Sequence, residues 1–185
     1  MLAVPLKNSN FNVRATETVN KNEIITSIGG AVLELTDLLS SVENDKINRV
    51  PYEGSWTAPQ LLRHLTKSIS GMAKAMQMDA KPTDRNSGER KEEFKIVFLD
   101  FSKKMKSPEF IVPEEDTYEK QFSIDDLNKS FTQFKVNANI SNSSELVEGL
   151  PLKPITKLEI IYFTLFHTQR HLHQMKKICN ALKEK

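Results

Sequence analysis

The sequence of 185 residues predicts an all-α fold, an antiparallel four-helix bundle with a long crossover segment between helices 2 and 3. Four segments repeat apolar residues at spacings of three and four, which is the pattern of a helix with one buried face. Two of these segments begin with a capping box, a Ser or Thr followed three residues later by Glu or Gln. We expect a single domain over residues 1–185, whose first ~15 residues form an extended arm.

The first helix is predicted from about Thr18 to Val42, because the apolar residues of this segment keep the helical period. Gly29 and Gly30 in its middle each cost about 1 kcal/mol of helix propensity. We therefore expect the glycine pair to allow close packing against a neighbouring helix. The apolar stripe consists of Ile24, Ile25, Ile28, Val32, Leu35, Leu38, Leu39 and Val42.

The second helix starts after Thr57, which forms a capping box with Gln60, and it should end near residue 79. Residues 79–121 then read as the crossover over one end of the bundle. Within it, the apolar run 96–101 is flanked by charged residues, which favours a short helix over a strand. The prolines that follow this run favour extended backbone.

The third helix is predicted from Ser123, because Asp125-Asp126 would then lie in its first turn, where the helix dipole favours acidic side chains. The last helix has the clearest start. Thr156 with Glu159 forms a second capping box, and the helical period continues to about Ala181.

Composition excludes several classes of protein. The net charge of +2 gives no clustered basic patch for nucleic acid. No apolar stretch approaches the roughly 20 residues of a membrane span, and the N-terminal residues lack the basic start of a signal peptide. Cys179 is the single cysteine, so no intrachain disulfide can form. We expect a cytoplasmic protein that binds neither nucleic acid nor membrane.

Histidines are the candidate functional residues. His167 and His171 are four residues apart in the last helix, so their rings lie one turn apart on one face, and that face is otherwise apolar. If His64 of the second helix faces them, three nitrogens can hold a metal ion with a position left open. Ser68, one turn after His64, could bond a metal-bound water or a substrate. Alternatively, hydrogen bonds alone could satisfy the three rings.

Other residues of the last helix are predicted to lie away from this cluster. His173 is rotated by roughly 120° from His167 and should not contribute. A second apolar seam also runs along the helix, so the helix either is central in the bundle or meets a second copy of the protein, and we expect a homodimer. The seam consists of Ile161, Leu165, Leu172, Met175, Cys179 and Leu182.

Three stretches carry a resemblance to a known family. Residues 54–65 contain a Trp-Thr helix start followed by His-Leu, residues 98–113 resemble the crossover of some members, and residues 166–175 contain H-x-x-R-H-x-x-Q. The chain resembles the DinB-like superfamily of metal-binding four-helix bundles, which includes bacterial thiol S-transferases of the bacillithiol type.

The resemblance implies that His64, His167 and His171 are metal ligands. It also implies that Gln174 contacts a ligand or lines the pocket, and that Arg170 is structural or an outer anion contact. The expected cofactor is a divalent metal ion, Zn²⁺ or Ni²⁺, since imidazole suits both.

Two functions follow as expectations. The first is a metal-dependent enzyme that acts on a small molecule, either transferring a low-molecular-weight thiol to an electrophile or hydrolysing a substrate. The sequence offers no strong general base, because Glu159, Ser68 and Tyr162 are only weak candidates, and this favours thiol transfer. The alternative is a helical bundle that binds a metal or another ligand without catalysis.

Overall fold

The computed structural model describes residues 10–184, with side chains described from Lys21 onward. It confirms the all-α bundle. None of the helices it describes has the length and the apolar character that a membrane span requires. A 3-10 turn, Glu109–Ile111, lies in the crossover. The helices are α1 (Asn10–Ser40), α2 (Ala58–Ala75), α3 (Lys91–Leu99), α4 (Lys120–Ile140) and α5 (Lys157–Lys183).

The four long helices pack with mixed directions. α1 and α4 are antiparallel, as are α2 and α5, whereas α1 is parallel to α5 and α2 is parallel to α4. The long connection between α2 and α4 explains these directions, because it returns the chain to the end of the bundle where α2 begins before α4 starts. Two contacts show each direction. The antiparallel pairs are joined by Lys21–Asn139 and Val42–Lys120 (α1 with α4) and by Ser68–His167 and His64–His171 (α2 with α5). The parallel pairs are joined by Glu34–Lys176 and Leu38–Cys179 (α1 with α5) and by Arg63–Asp126 and Ala73–Asn137 (α2 with α4).

Two predicted helix starts are confirmed and two are wrong. The capping boxes at Thr57 and Thr156 are both present. α1 begins at Asn10, so residues 10–15 are helical and not part of an extended arm, while residues 1–9 lie outside the described residues. α4 begins at Lys120 without a side-chain cap, three residues before the predicted start. Its two aspartates therefore lie in the second turn.

The predicted short helix in the crossover is confirmed as α3. A small sheet was not predicted. Strands β1 (Ala80–Lys81), β2 (Leu146–Val147) and β3 (Ile155–Thr156) pair antiparallel in that order. The sheet ties the end of α2 to the start of α5, and so fixes the two helices that carry the predicted site.

The second apolar seam of α5 is buried within the chain except at the half-buried Leu172, because α5 packs against α1, α2 and α3. The Cys179 thiol, for example, faces the Leu38 carbonyl of α1 at 3.7 Å. Of the two explanations for the seam, the central position of α5 is the correct one. The predicted homodimer thus loses the support of this seam and stays a prediction.

The glycine pair of α1 provides a test of close packing. Gly30 is exposed, and a Cβ there would meet no atom within 4 Å, so Gly30→Ala should raise the free energy of unfolding by about 1 kcal/mol. At Gly29 a Cβ would lie 3.2 Å from two ring carbons of Phe131, so Gly29→Ala should raise the free energy of unfolding by less than Gly30→Ala, or not at all. Urea denaturation measures the free energy of unfolding of both variants. An equal increase in the two variants would contradict the close packing at Gly29.

Candidate metal site

Three imidazole rings meet between α2 and α5. His64 Nε2 lies 3.3 Å from His167 Nε2 and 3.1 Å from His171 Nε2, and the Nε2 atoms of His167 and His171 are 3.0 Å apart. The three residues are buried, with exposed fractions of 1%, 7% and 7%. As a group, they offer donor atoms close enough together to hold one metal ion. The structure therefore brings together the three histidines that the sequence singled out.

Local sequence explains why these rings converge. In α5, the spacing of four residues puts His167 and His171 on successive turns of one face. The start of that helix is fixed by its capping box, in which the Thr156 side chain accepts from the Glu159 amide at 3.1 Å. The capping box at Thr57 fixes the start of α2 in the same way, and His64 follows about two turns later.

Two of the rings are oriented by carbonyl oxygens at their outer nitrogens. The Nδ1 atom of His64 lies 2.9 Å from the carbonyl oxygen of Ile111, and the Nδ1 atom of His171 lies 3.0 Å from Oε1 of Gln174. A carbonyl oxygen accepts hydrogen bonds but cannot donate them. Both rings therefore carry their proton on Nδ1, and both Nε2 atoms present a lone pair to the centre. This arrangement is common among metal-binding histidines.

The third ring is held by a hydroxyl. Ser68 Oγ lies 3.3 Å from Nδ1 of His167. The sequence suggested Ser68 as a contact to water or substrate, and the structure instead places it behind a ring of the cluster. Gln174 likewise contacts a ring from the outside, that of His171.

Burial keeps the three rings neutral. It lowers the pKa of His167 to about 3, with further contributions from His64 and Arg170, and it lowers the pKa of His171 and His64 as well. The lone pairs of His64 and His171 that face each other repel, unless a proton donor or a cation lies between them. Ligand nitrogens at ~2.0–2.1 Å around a tetrahedral ion are about 3.3 Å apart. The observed separations of 3.0–3.3 Å fit such an ion.

Aromatic rings enclose the cluster. Trp56 lies beside His64 with ring centroids 4.9 Å apart, and Phe98 and Phe163 lie 5.3 and 5.5 Å from the ring of His167. Trp56 directly precedes the N-cap residue of α2, and Phe98 belongs to α3 of the crossover. The place of Phe98 beside His167 depends on how α3 packs on α5, for which the sequence carries no local signal.

Arg170 contacts the backbone of the crossover. Its guanidinium donates to the carbonyl oxygens of Phe98 at 3.1 Å and Asp100 at 3.0 Å, and also to the carbonyl of Lys103. The side chain thus fastens the end of α3 and the following turn to α5. Of the two expected roles, the structural one agrees with these contacts.

Three other candidate residues lie apart from the cluster or are engaged elsewhere. His173 lies outside the cluster, as its helical phase predicted, and its ring stacks on Phe101 with centroids 4.0 Å apart. The Cys179 thiol contacts the α1 carbonyl described above. Glu159 is fully buried and holds Arg85 through both carboxylate oxygens at 3.1 and 2.6 Å. Its carboxylate also accepts two backbone amides, so Glu159 is not available as a general base.

Comparison with known proteins gives one match. A family model described as the DinB superfamily matches residues 33–175, which is more than half of the chain and includes all three histidines. No curated protein and no solved structure shows significant similarity to the chain.

Proposed function

This chain belongs to the DinB superfamily, and from that premise we propose that it is a divalent-metal-dependent enzyme that transfers a low-molecular-weight thiol to an electrophile. The observation that carries the proposal is the convergence of the Nε2 atoms of three buried, neutral histidines, His64, His167 and His171. Three neutral donors of this kind suit a metal ion, and a three-ligand set keeps a coordination position for a substrate atom.

A divalent ion, when bound, would lower the pKa of a thiol or a water molecule held beside it. In the proposed transfer, the thiol loses its S–H proton to solvent, and a new bond forms between sulfur and the electrophilic carbon. A halide departs with the electrons of its bond, whereas the oxygen of an opened epoxide keeps these electrons and takes a proton from solvent. The chain would contribute three oriented imidazoles. Trp56 and Phe98 would help to keep bulk water away from the reacting sulfur.

Thiol transfer is favoured over hydrolysis by the residues around the rings. Hydrolysis would profit from a second carboxylate or histidine to take a proton from water. The nearest acidic residue of α5 that the sequence suggested, Glu159, is held by Arg85 and by backbone amides. A thiol is acidic enough to ionise beside a metal without such a base.

Zinc and nickel are the proposed ions. Imidazole nitrogen suits both metals, and a set of three neutral histidines lacks the carboxylate oxygens that magnesium or calcium would require.

A second candidate function is metal binding without turnover. It is favoured by the burial of the rings, which leaves exposed fractions of 7% or less for a substrate to reach. In this case the same three histidines would store or sense the ion. The expected cytoplasmic location and the homodimer belong to either proposal.

Metal content and turnover separate the two functions. Protein purified without a histidine tag should contain close to one zinc or nickel ion per chain. We expect it to consume thiol when small thiols are paired with alkyl halide or epoxide electrophiles, and His64→Ala should lose both the ion and the turnover. His173→Ala serves as the matched control and should keep both. Stoichiometric metal without turnover of any pair would favour the second function, and absence of metal would contradict both.

A further inference from the structure

A polar network fastens the crossover to α2 beside the histidine cluster. The Glu114 carboxylate accepts from Arg63 Nε at 3.1 Å and pairs with Lys67 Nζ at 2.8 Å, and Gln60 Nε2 donates to the Glu114 carbonyl at 3.3 Å. Gln60, Arg63 and Lys67 lie on one face of α2 because they are spaced by three and four residues. Glu114 is thus the centre of the attachment.

The fastened segment is also the one that orients His64. Ile111 supplies the carbonyl oxygen that accepts from His64 Nδ1 at 2.9 Å, and the next carbonyl, that of Val112, accepts from Lys67 Nζ at 2.7 Å. Lys67 therefore spans from the second carbonyl to the Glu114 carboxylate. Lys67 lies one turn after His64 on the same helix. Its contact with the Val112 carbonyl therefore holds the neighbouring Ile111 carbonyl in place against the His64 ring.

We propose that Lys67 and Glu114 are positioning residues for the His64 ligand. This inference rests on the proposed function, because it concerns the affinity of the same metal site. Neither side chain is a ligand. They act through the backbone of residues 111–112, whose carbonyl holds the His64 ring in the orientation that presents Nε2 to the other two histidines.

The charge of Glu114 suits this role. The Arg63 guanidinium and the Lys67 ammonium hold the pKa of this carboxyl at about 2, so the carboxylate stays ionised throughout the range in which histidines can bind a metal. Arg63 also pairs with Asp126 of α4 at 3.1 Å. The contact between α2 and α4 therefore survives a change at Glu114.

An electrostatic role and a positioning role of Lys67 predict opposite changes in metal affinity when this residue is replaced. Removing a cation near a metal site should strengthen the binding of a metal cation, since like charges repel. If Lys67 instead positions the acceptor of His64, removing it should weaken binding. Loss of such an outer partner typically costs 10–100-fold in metal affinity.

The experiment measures the dissociation constant for Zn²⁺ by competition with a chelator, on the full chain at fixed pH and salt. The variants are Lys67→Met, Glu114→Gln and the double variant, which removes one charge of each sign and leaves the net charge unchanged. Lys74→Met and Glu115→Gln are the matched controls, because each makes the same charge change without taking part in the network. Visible absorption of the Co²⁺-loaded proteins reports the geometry around the ion.

We expect Lys67→Met and the double variant to bind Zn²⁺ about 10-fold or more weakly than the native chain, with an altered Co²⁺ spectrum. Both controls should bind like the native chain, and thermal unfolding of the metal-free proteins should confirm that each variant is folded. Tighter or unchanged Zn²⁺ binding by Lys67→Met would overturn the inference, and so would an unchanged Co²⁺ spectrum in the double variant. If the native chain itself binds no Zn²⁺, the proposed function fails first.

Discussion

His167→Ala and His171→Ala should each purify with little or no bound metal while keeping near-native helical content. Each change removes one of three nitrogen donors from a site that has no other donor to replace it among the described residues. The helices should persist because most of the core lies elsewhere, in the Ile and Leu residues of α1, α2 and α5. Elemental analysis of the purified proteins measures the metal, and far-UV circular dichroism measures the helices.

His173→Ala is the control for these two variants. It removes the same ring from the same helix, at a position where the ring stacks on Phe101 and not on the cluster. Its metal content should equal that of the native chain. Unchanged metal in both His167→Ala and His171→Ala would place the ion elsewhere, and loss of metal in His173→Ala would show that the ring of His173 takes part.

The site was predictable from sequence to the extent that local spacing determines it. Two histidines four residues apart must share a face of α5, and the capping boxes at Thr57 and Thr156 mark where each helix starts. The acceptor of His64, in contrast, is a backbone carbonyl of Ile111. Every residue has a backbone carbonyl, so the residue type at position 111 does not indicate that its carbonyl accepts from His64.

The errors in the fold have a common physical origin in tertiary contacts. Asp125 and Asp126 were expected in the first turn of a helix, because acidic residues favour that position. In the structure Asp126 pairs with Arg63 of α2 instead, and α4 starts earlier without a side-chain cap. The three strands have two residues each, which is too short for a period of two to be recognised.

The apolar seam of α5 shows the same limit. Periodicity indicates that a helix face is buried, but it does not identify what covers the face. The seam could have met a second chain, and it meets α1 because α5 lies between several helices of the bundle. The sequence predicted antiparallel packing, but it did not indicate that α1 would be parallel to α5 and α2 to α4, which follows from how the long crossover returns the chain.

The metal-free protein should lose stability as the pH falls from 7 to 5. The pKa of His167 is about 3, and those of His171 and His64 are also lowered, chiefly by burial. In the unfolded chain each histidine has a pKa of about 6.5, so below that pH the unfolded state binds protons that the folded state excludes. A histidine that stays neutral in the fold costs about 2 kcal/mol at pH 5 relative to pH 7.

The pH window separates the histidines from the carboxylates. Glu93, Asp100 and Glu114 also have lowered pKa values, but their contribution to stability is lost only as the pH falls below their unfolded values, near 4. Denaturation in urea with a chelator, at pH 7 and pH 5, therefore reports mainly on the buried rings.

The double variant His167→Gln, His171→Gln isolates the contribution of these two rings to the pH dependence of stability. Glutamine does not titrate, so the difference in unfolding free energy between pH 7 and pH 5 should shrink by several kcal/mol relative to the native chain. The pKa of His173 is lowered too, mainly by burial, and His173→Gln measures its share. If the double glutamine variant keeps the native pH dependence, the rings of His167 and His171 must accept protons in the fold. In that case their lone pairs would not be available to a metal ion without first releasing those protons.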